Sequence, residues 1–167
     1  MKSIAVSISV LALLAFVITR VALTIEYNIY CGGHLKRAAD ANTIELAEQE
    51  LSTALAYMDK EGWDKGGSTH LIFPHPKCDI GFWYENITSA KNELQQLDPD
   101  STQLEKTNVL MKLRETILDG GESLSVTTPP GITVFPYQWL FCIWGWVSGV
   151  LAGVVVLVVI CVCLDEC

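Results

Sequence analysis

Two apolar stretches, Ile4 to about Leu23 and Trp139 to Leu164, bracket a polar middle and restrict this chain more than any other feature. Crossing ~30 Å of hydrocarbon as a helix takes ~20 apolar residues, so each stretch is long enough to span a bilayer. With 50% hydrophobic residues and a mean hydropathy of +0.34, the chain is too apolar for a uniform soluble domain, and the excess lies in these end blocks. The expected fold is an all-α membrane protein, with two transmembrane helices flanking a small extramembrane antiparallel helical bundle. The expected divisions are 1–24 for the first span, 25–128 for the helical domain, 129–138 for a Pro-containing linker, 139–164 for the second span and 165–167 for a short tail.

The start of the chain reads as an uncleaved signal anchor. Lys2 precedes the apolar run, which passes Arg20 into "VALTIEYNIY" without a clean small-x-small cleavage motif. Arg20 is costly at mid-membrane, but near a helix end it can snorkel to the interface. Two spans place both termini on one side. Lys2 argues for an inside N-terminus, while Arg20, Lys36 and Arg37 argue against it. Segments longer than ~60 residues translocate largely regardless of charge. The signal-like start therefore decides the expected topology: an integral protein of the cell or inner membrane, residues 25–138 outside or periplasmic, both termini cytoplasmic.

The formal charge of −8 lies in the middle segment, where 17 acidic and 9 basic side chains fall between Ile25 and Gln138. An acidic surface repels nucleic acid phosphates and anionic lipid headgroups, so both are poor partners and no nucleic acid is expected.

The strongest motif is in the second span. "WGWVSGVLAGVVV" spaces Gly145, Gly149 and Gly153 four residues apart, with Ser148 and Ala152 on the adjoining ridge. Residues at i, i+4 and i+8 share a face, and a small-residue face of this glycine-zipper kind lets a second helix approach closely in lipid. The partner is either the first span, where Ala5, Ser9 and Ala12 offer a small face, another copy, or another protein. Upstream, Phe135, Tyr137, Trp139, Phe141, Trp144 and Trp146 crowd one end of the span. Trp and Tyr favour headgroup depth, so Tyr137, Trp139, Trp144 and Trp146 are assigned to an interfacial belt that fixes the depth of the helix.

Three amphipathic stretches are expected to build the domain, at about 34–61, 81–97 and 101–118, the first able to run on from the first span with Gly32-Gly33 as its weak point. Ile44, Ala47, Leu51, Ala54 and Met58 follow the 3-4-3-4 spacing of a coiled-coil-like seam. Trp83, Ile87, Ala90, Leu94 and Leu97 form the second seam, and Leu104, Leu110, Leu113 and Ile117 the third. Pro99 makes "DPDS" a turn, Thr102 with Glu105 can form a capping box, and Gly120-Gly121 is expected to stop the third helix. The last two helices then make an antiparallel hairpin leaning on the first, and Pro129-Pro130 stiffens an extended linker into the second span.

Chemistry-bearing residues are sparse. Cys31 and Cys78 are the cysteines of the middle segment, and an oxidising compartment favours their disulfide. Cys31-x2-His34 and His75-x2-Cys78, with His70 nearby, also read as mirrored pairs suited to tetrahedral zinc, but no common zinc module has this spacing. No cofactor is expected. The chain contains no phosphate-cradling glycine loop, GxSxG or HExxH, so an enzyme is not expected. Asn86-Ile87-Thr88 is a sequon set within an expected helix, and Cys161, Cys163 and Cys167 are candidates for acylation at the inner face.

The order of span, helical ectodomain and second span resembles the four-helix-bundle sensor regions of bacterial chemoreceptors and sensor kinases. The resemblance is one of architecture and carries no matching motif. It departs in having three expected helices rather than four, and three residues where such receptors continue into a long signalling domain. Any message is therefore expected to leave through the domain surface or sideways from the spans. The leading expectation is a structural or interaction protein: a scaffold or accessory subunit, as a homo-oligomer or within a larger membrane complex in the lipid bilayer. The alternatives are a ligand-sensing ectodomain that signals laterally, and an oligomeric pore, which neither span supports with a polar stripe.

Overall fold

The computed structural model describes residues 2–68, 75–119 and 125–165, with backbone alone for 2–5 and 158–165. Its elements are α1 (Lys2–Tyr27), a π-helical turn (Asn28–Gly32), α2 (Gly33–Ala39), α3 (Ile44–Glu61), α4 (Ile80–Gln95), α5 (Gln103–Ile117) and α6 (Gln138–Asp165). Among the described residues no strand forms; two isolated antiparallel bridges, Gly67 with Asp79 and Leu118 with Val126, clip loops together. The chain divides into two compact units, Met1–Thr24 with Val134–Cys167, and Ile25–Thr133.

Two helices are long and apolar enough to cross a membrane. The helix over Val6–Ala39 and the segment Gln138–Leu157 contain windows of mean hydropathy 2.4 and 2.2, of which only 6% is buried within the protein. Both segments thus have the length and apolarity that a crossing requires, as expected for the two ends of the chain.

In the first unit, the half-buried and buried positions recur with helical period: Ser9, Ala12, Phe16, Thr19 and Leu23 on α1, and Phe141, Gly145, Ser148, Ala152 and Val155 on α6. Phe16 packs edge-on against Trp144, with ring centroids 5.5 Å apart.

The second unit contains four helical segments, not the three expected. Gly32-Gly33, the expected weak point, carries a π turn instead of a break. The Gly33 N–H donates to Asn28 O, and a Cβ on Gly33 would sit 2.5 Å from that oxygen, so the turn needs glycine there. The helix therefore continues through α2 as a stem. The expected single helix over 34–61 is interrupted at residues 40–43, because Asp40 leaves helical geometry at φ −95° and Thr43, extended, accepts from the Leu46 N–H at 3.3 Å as an N-cap. Cap chemistry at Asn42-Thr43 ends one helix and starts another. Gly62, in the left-handed region at φ 69°, closes α3.

The stem and α3 run antiparallel, as Arg37 and His34 meet Glu50, Tyr30 stacks on Tyr57 at 5.6 Å, and Tyr27 faces Trp63 at 6.0 Å. Helices α3 and α4 are likewise antiparallel, through Gln95 with Glu48 and Tyr84 with Asp59, both at 2.6 Å. Lys112 holds Glu93 at 2.7 Å between α4 and α5. At the centre of this packing Cys31, Leu35, Leu51, Met58, Ile80, Leu94 and Ile117 are all but inaccessible. Each such Leu, Ile or Met contributes roughly 1.5–3 kcal/mol by leaving water.

The seams of α3 and α4 are buried as expected, apart from half-buried Ile44, Ala90 and Leu97. On α5 the C-terminal half packs, with Leu113 and Ile117 buried, whereas Leu104 is 71% exposed. The capping box forms, with Glu105 N–H to Thr102 Oγ1 at 3.3 Å and Thr102 N–H to Glu105 Oε2 at 2.8 Å. Helix α5 ends at Leu118, which turns extended, while Gly120-Gly121 lies outside the described residues. The expected extended linker is instead folded. Val126 pairs with Leu118, Thr127 N–H donates to Ile117 O at 2.8 Å, and Ile132 is buried at the start of a 3-10 turn over Ile132–Val134.

Candidate functional site

The glycine stripe of α6 divides between two surfaces. Gly145 faces α1: a Cβ added there would meet the Phe16 ring at 3.1 Å. Ser148 is buried and Ala152 half-buried on the same side, matched by buried Ser9 and half-buried Ala12 on α1. Successive steps of 3–4 residues along Phe141, Gly145, Ser148, Ala152 and Val155 follow the helix period, so this is the face used inside the chain. Gly149 and Gly153 step off that face by one position. Both are exposed, and a Cβ on either would meet nothing within 4 Å. The sequence treats all three glycines as one zipper, whereas the structure commits Gly145 to the internal pair and leaves Gly149 and Gly153 open.

The aromatic belt divides in the same way. Tyr137, Trp139 and Trp146 are exposed, while Trp144 is drawn between Phe16 and Phe141, with ring centroids at 5.5 and 5.8 Å. Rings with an apolar body and a polar tip suit an interface between hydrocarbon and water. Three of the four are exposed, and the fourth packs against Phe16 of α1.

The cysteine and histidine constellation is not assembled. Cys31 and Cys78 are both unbonded. Cys31 is buried in the π turn beneath Tyr27, and Cys78 is half-buried in a 3-10 turn whose backbone O accepts from Ser68 N–H at 2.7 Å. His34 and His75 are engaged elsewhere: His34 Nδ1 lies 2.6 Å from Glu50 Oε2, and His75 Nδ1 accepts from Lys77 N–H at 3.1 Å. No cluster of three or more metal-ligating side chains occurs among the described residues. The expected disulfide is thus replaced by one thiol in the core and one in a loop, and the zinc quartet by separate local contacts. His70, Glu166 and Cys167 lie outside the described residues, as do the side chains of Cys161 and Cys163.

Sequence reasoning missed the polar cluster at Glu50. This carboxylate is 4% exposed, and it meets His34 at 2.6 Å and Arg37 at 2.5 Å, both on the stem. A buried charge needs such partners, because desolvation alone costs several kcal/mol per ion. The available signal was that Glu50 adjoins Leu51 on the flank of the α3 seam, with a His-x-x-Arg pair one short helix away. Above it, Tyr30, Tyr57 and Trp63 form a ring cluster, Tyr57 meeting Trp63 edge-on at 5.4 Å. Burial first, then the carboxylates of Glu61 and Glu26, push the Tyr57 phenol up to about 12, so it is a neutral hydrogen-bonding group throughout the physiological range.

A groove of about 700 Å³ opens between α4, the end of α5 and the strap at 125–130, lined by Phe82, Trp83, Ile87, Ile117 and Pro129 among others. The Trp83 indole N–H donates to Thr127 O at 2.8 Å and holds the strap against α4. Asn86 of the sequon lines this groove on the exposed side of α4.

No protein-family model, no curated protein and no solved structure matches the chain.

Proposed function

We propose that this chain is a small membrane-anchored interaction protein, a scaffold or accessory subunit that joins a homo-oligomer or a larger membrane complex. Its two apolar helices lie in the bilayer, residues 25–138 face outside and both termini are cytoplasmic. Association uses the second span and the surface of the helical domain.

The observation that carries the reading is the pair Gly149 and Gly153, which lie open on α6 although Gly145, Ser148 and Ala152 already serve the internal helix contact. In lipid, apolar side chains gain nothing by leaving their surroundings, so close backbone approach at small residues is what holds one helix to another. A helix that has satisfied its own partner and keeps a second small-residue step is suited to receive another.

The test is mass measurement after extraction in mild detergent, alongside cross-linking in native membranes. Gly149→Leu and Gly153→Leu should weaken association roughly tenfold, in line with the ~1–2 kcal/mol that membrane helix contacts supply. Gly145→Leu should instead disturb the chain's own helix pair by meeting Phe16. A wild-type chain that is strictly monomeric, with no protein co-purifying or cross-linking, rules the reading out.

A further inference from the structure

The groove between α4, the end of α5 and the strap is shaped by two hydrogen bonds within the helical unit. The Trp83 indole N–H donates to Thr127 O and the Thr127 N–H to Ile117 O, both at 2.8 Å. Trp83, Ile87 and Ile117 are buried walls, whereas Phe82, which lines the same groove, is 63% exposed. A volume of about 700 Å³ with mainly apolar walls and a few polar groups is the form of a small-molecule site. Three charged side chains line it: Asp79 and Asp119, two carboxylates, against the ammonium of Lys77. Asp79 is partly committed, because its Oδ1 accepts from the Phe82 N–H at 2.9 Å as the N-cap of α4. Asp119 is exposed, and its carboxylate enters no ion pair or hydrogen bond among the described residues. The Lys77 ammonium is exposed and unpaired among them as well, so it is bonded to neither carboxylate.

Charge decides among ligands that would fill an apolar groove equally well. The groove belongs to a segment with 17 acidic and 9 basic side chains, whose field concentrates cations and repels anions. An uncommitted carboxylate and an exposed aromatic face in one cavity add two attractions for a cation, one coulombic and one to the ring quadrupole. A neutral apolar molecule uses neither, and an anion is opposed by Asp79 and Asp119. We propose that this groove binds an organic ammonium with an apolar body. The body lies against Phe82, Ile87, Ile117 and Pro129, and the charged head goes to Asp119, with Asp79 adding to the field. This site goes beyond the association proposed above and depends neither on the open glycines of α6 nor on the placement of the chain in a membrane.

Three probes with one phenyl body and different heads test it: phenethylammonium, phenethyl alcohol and phenylpropionate. Each is titrated calorimetrically into the full chain in a nonionic detergent, with empty micelles as the blank. Phenethylammonium should saturate the chain and bind roughly tenfold tighter than the alcohol, the difference expected for one hydrogen bond to a charged group, and phenylpropionate should bind weakest. Asp119→Asn should bring the ammonium down to the affinity of the alcohol, and Phe82→Ser should weaken both severalfold through loss of the ring. Both side chains are exposed, and helicity by circular dichroism checks that each variant folds. Added salt should narrow the preference for the ammonium in the wild-type chain, which decides the matter if Asp119→Asn does not fold. Failure of phenethylammonium to saturate the wild type overturns the proposal. So does equal binding of ammonium and alcohol, or an ammonium preference that survives in folded Asp119→Asn or is indifferent to salt.

Discussion

Glu50 is a case where one residue is decided by its surroundings and not by its own letter. Read along the sequence it is one of a run of acidic positions on a solvated helix, but the fold places it 4% exposed between α3 and the stem. Its partners are unequal. His34 is mostly enclosed, while the Arg37 side chain is 67% exposed and is rewarded little by a pair it can exchange for water. Glu50→Ala should therefore destabilise the chain by about 2–3 kcal/mol, because it removes a buried acceptor and leaves the enclosed His34 nitrogen without one. Arg37→Ala should cost under about 1 kcal/mol. Urea unfolding followed by circular dichroism measures both. Equal losses would mean that Arg37, not His34, governs the cluster. Periodicity could not show this, since a seam is found by its apolar letters, and Glu50 is buried only because a second helix arrives beside Leu51. The glycines teach the converse lesson: their small size was legible, but which of them meets α1 depended on Phe16, at an angle no single helix records.

At the scale of elements, the legible features were those written in local chemistry. Thr102 and Glu105 form the expected capping box, and α4 and α5 end within two residues of where composition puts their limits. The helix boundary that failed, 34–61 read as one helix, failed because two local signals competed. Helical letters run from His34 to Glu61, but Asn42-Thr43 offers a cap, and tertiary packing of α3 back on the stem favours taking it. The capping box also has a pH signature. Hydrogen bonds from the Thr102 backbone N–H, then from its hydroxyl, hold the Glu105 carboxyl below its ordinary value. A carboxylate whose folded pKa is depressed contributes stability above its unfolded pKa of ~4.3 and loses it as pH falls through the lower folded value. Glu105→Gln should thus flatten part of the acid limb of a stability–pH curve below the ordinary carboxylate range while leaving helicity at pH 7 close to wild type. Thermal melts at stepped pH test this, and an unchanged acid limb would show that the reciprocal bonds at Thr102 carry no net ionic contribution.

At the scale of the whole molecule, hydropathy separates two apolar helices from a polar middle, and the compact units are Met1–Thr24 with Val134–Cys167, and Ile25–Thr133. Within the segment expected to run as a stiff, extended linker, Ile132 is instead buried in the helical unit. The reason is again long-range: Trp83 reaches Thr127 and Val126 pairs with Leu118, contacts that a Pro-rich composition does not announce. Cys31, Leu35, Leu51, Met58, Ile80, Leu94 and Ile117, the side chains at its centre, all fall within Ile25–Thr133. A fragment of residues 25–133 should therefore fold by itself, with the helicity of its four segments and a single cooperative urea transition, as small domains that own their core do. Cutting at 128 instead removes Pro129 and Pro130 from the groove together with buried Ile132, and leaves the groove face of Trp83 and Ile117 less covered. That shorter fragment should unfold at lower urea with a similar slope, by about 1–3 kcal/mol for the loss of one buried isoleucine and its neighbours. Broad, non-cooperative melting of the longer fragment would mean that the helical unit depends on the spans for its order, and that the two units fold as one.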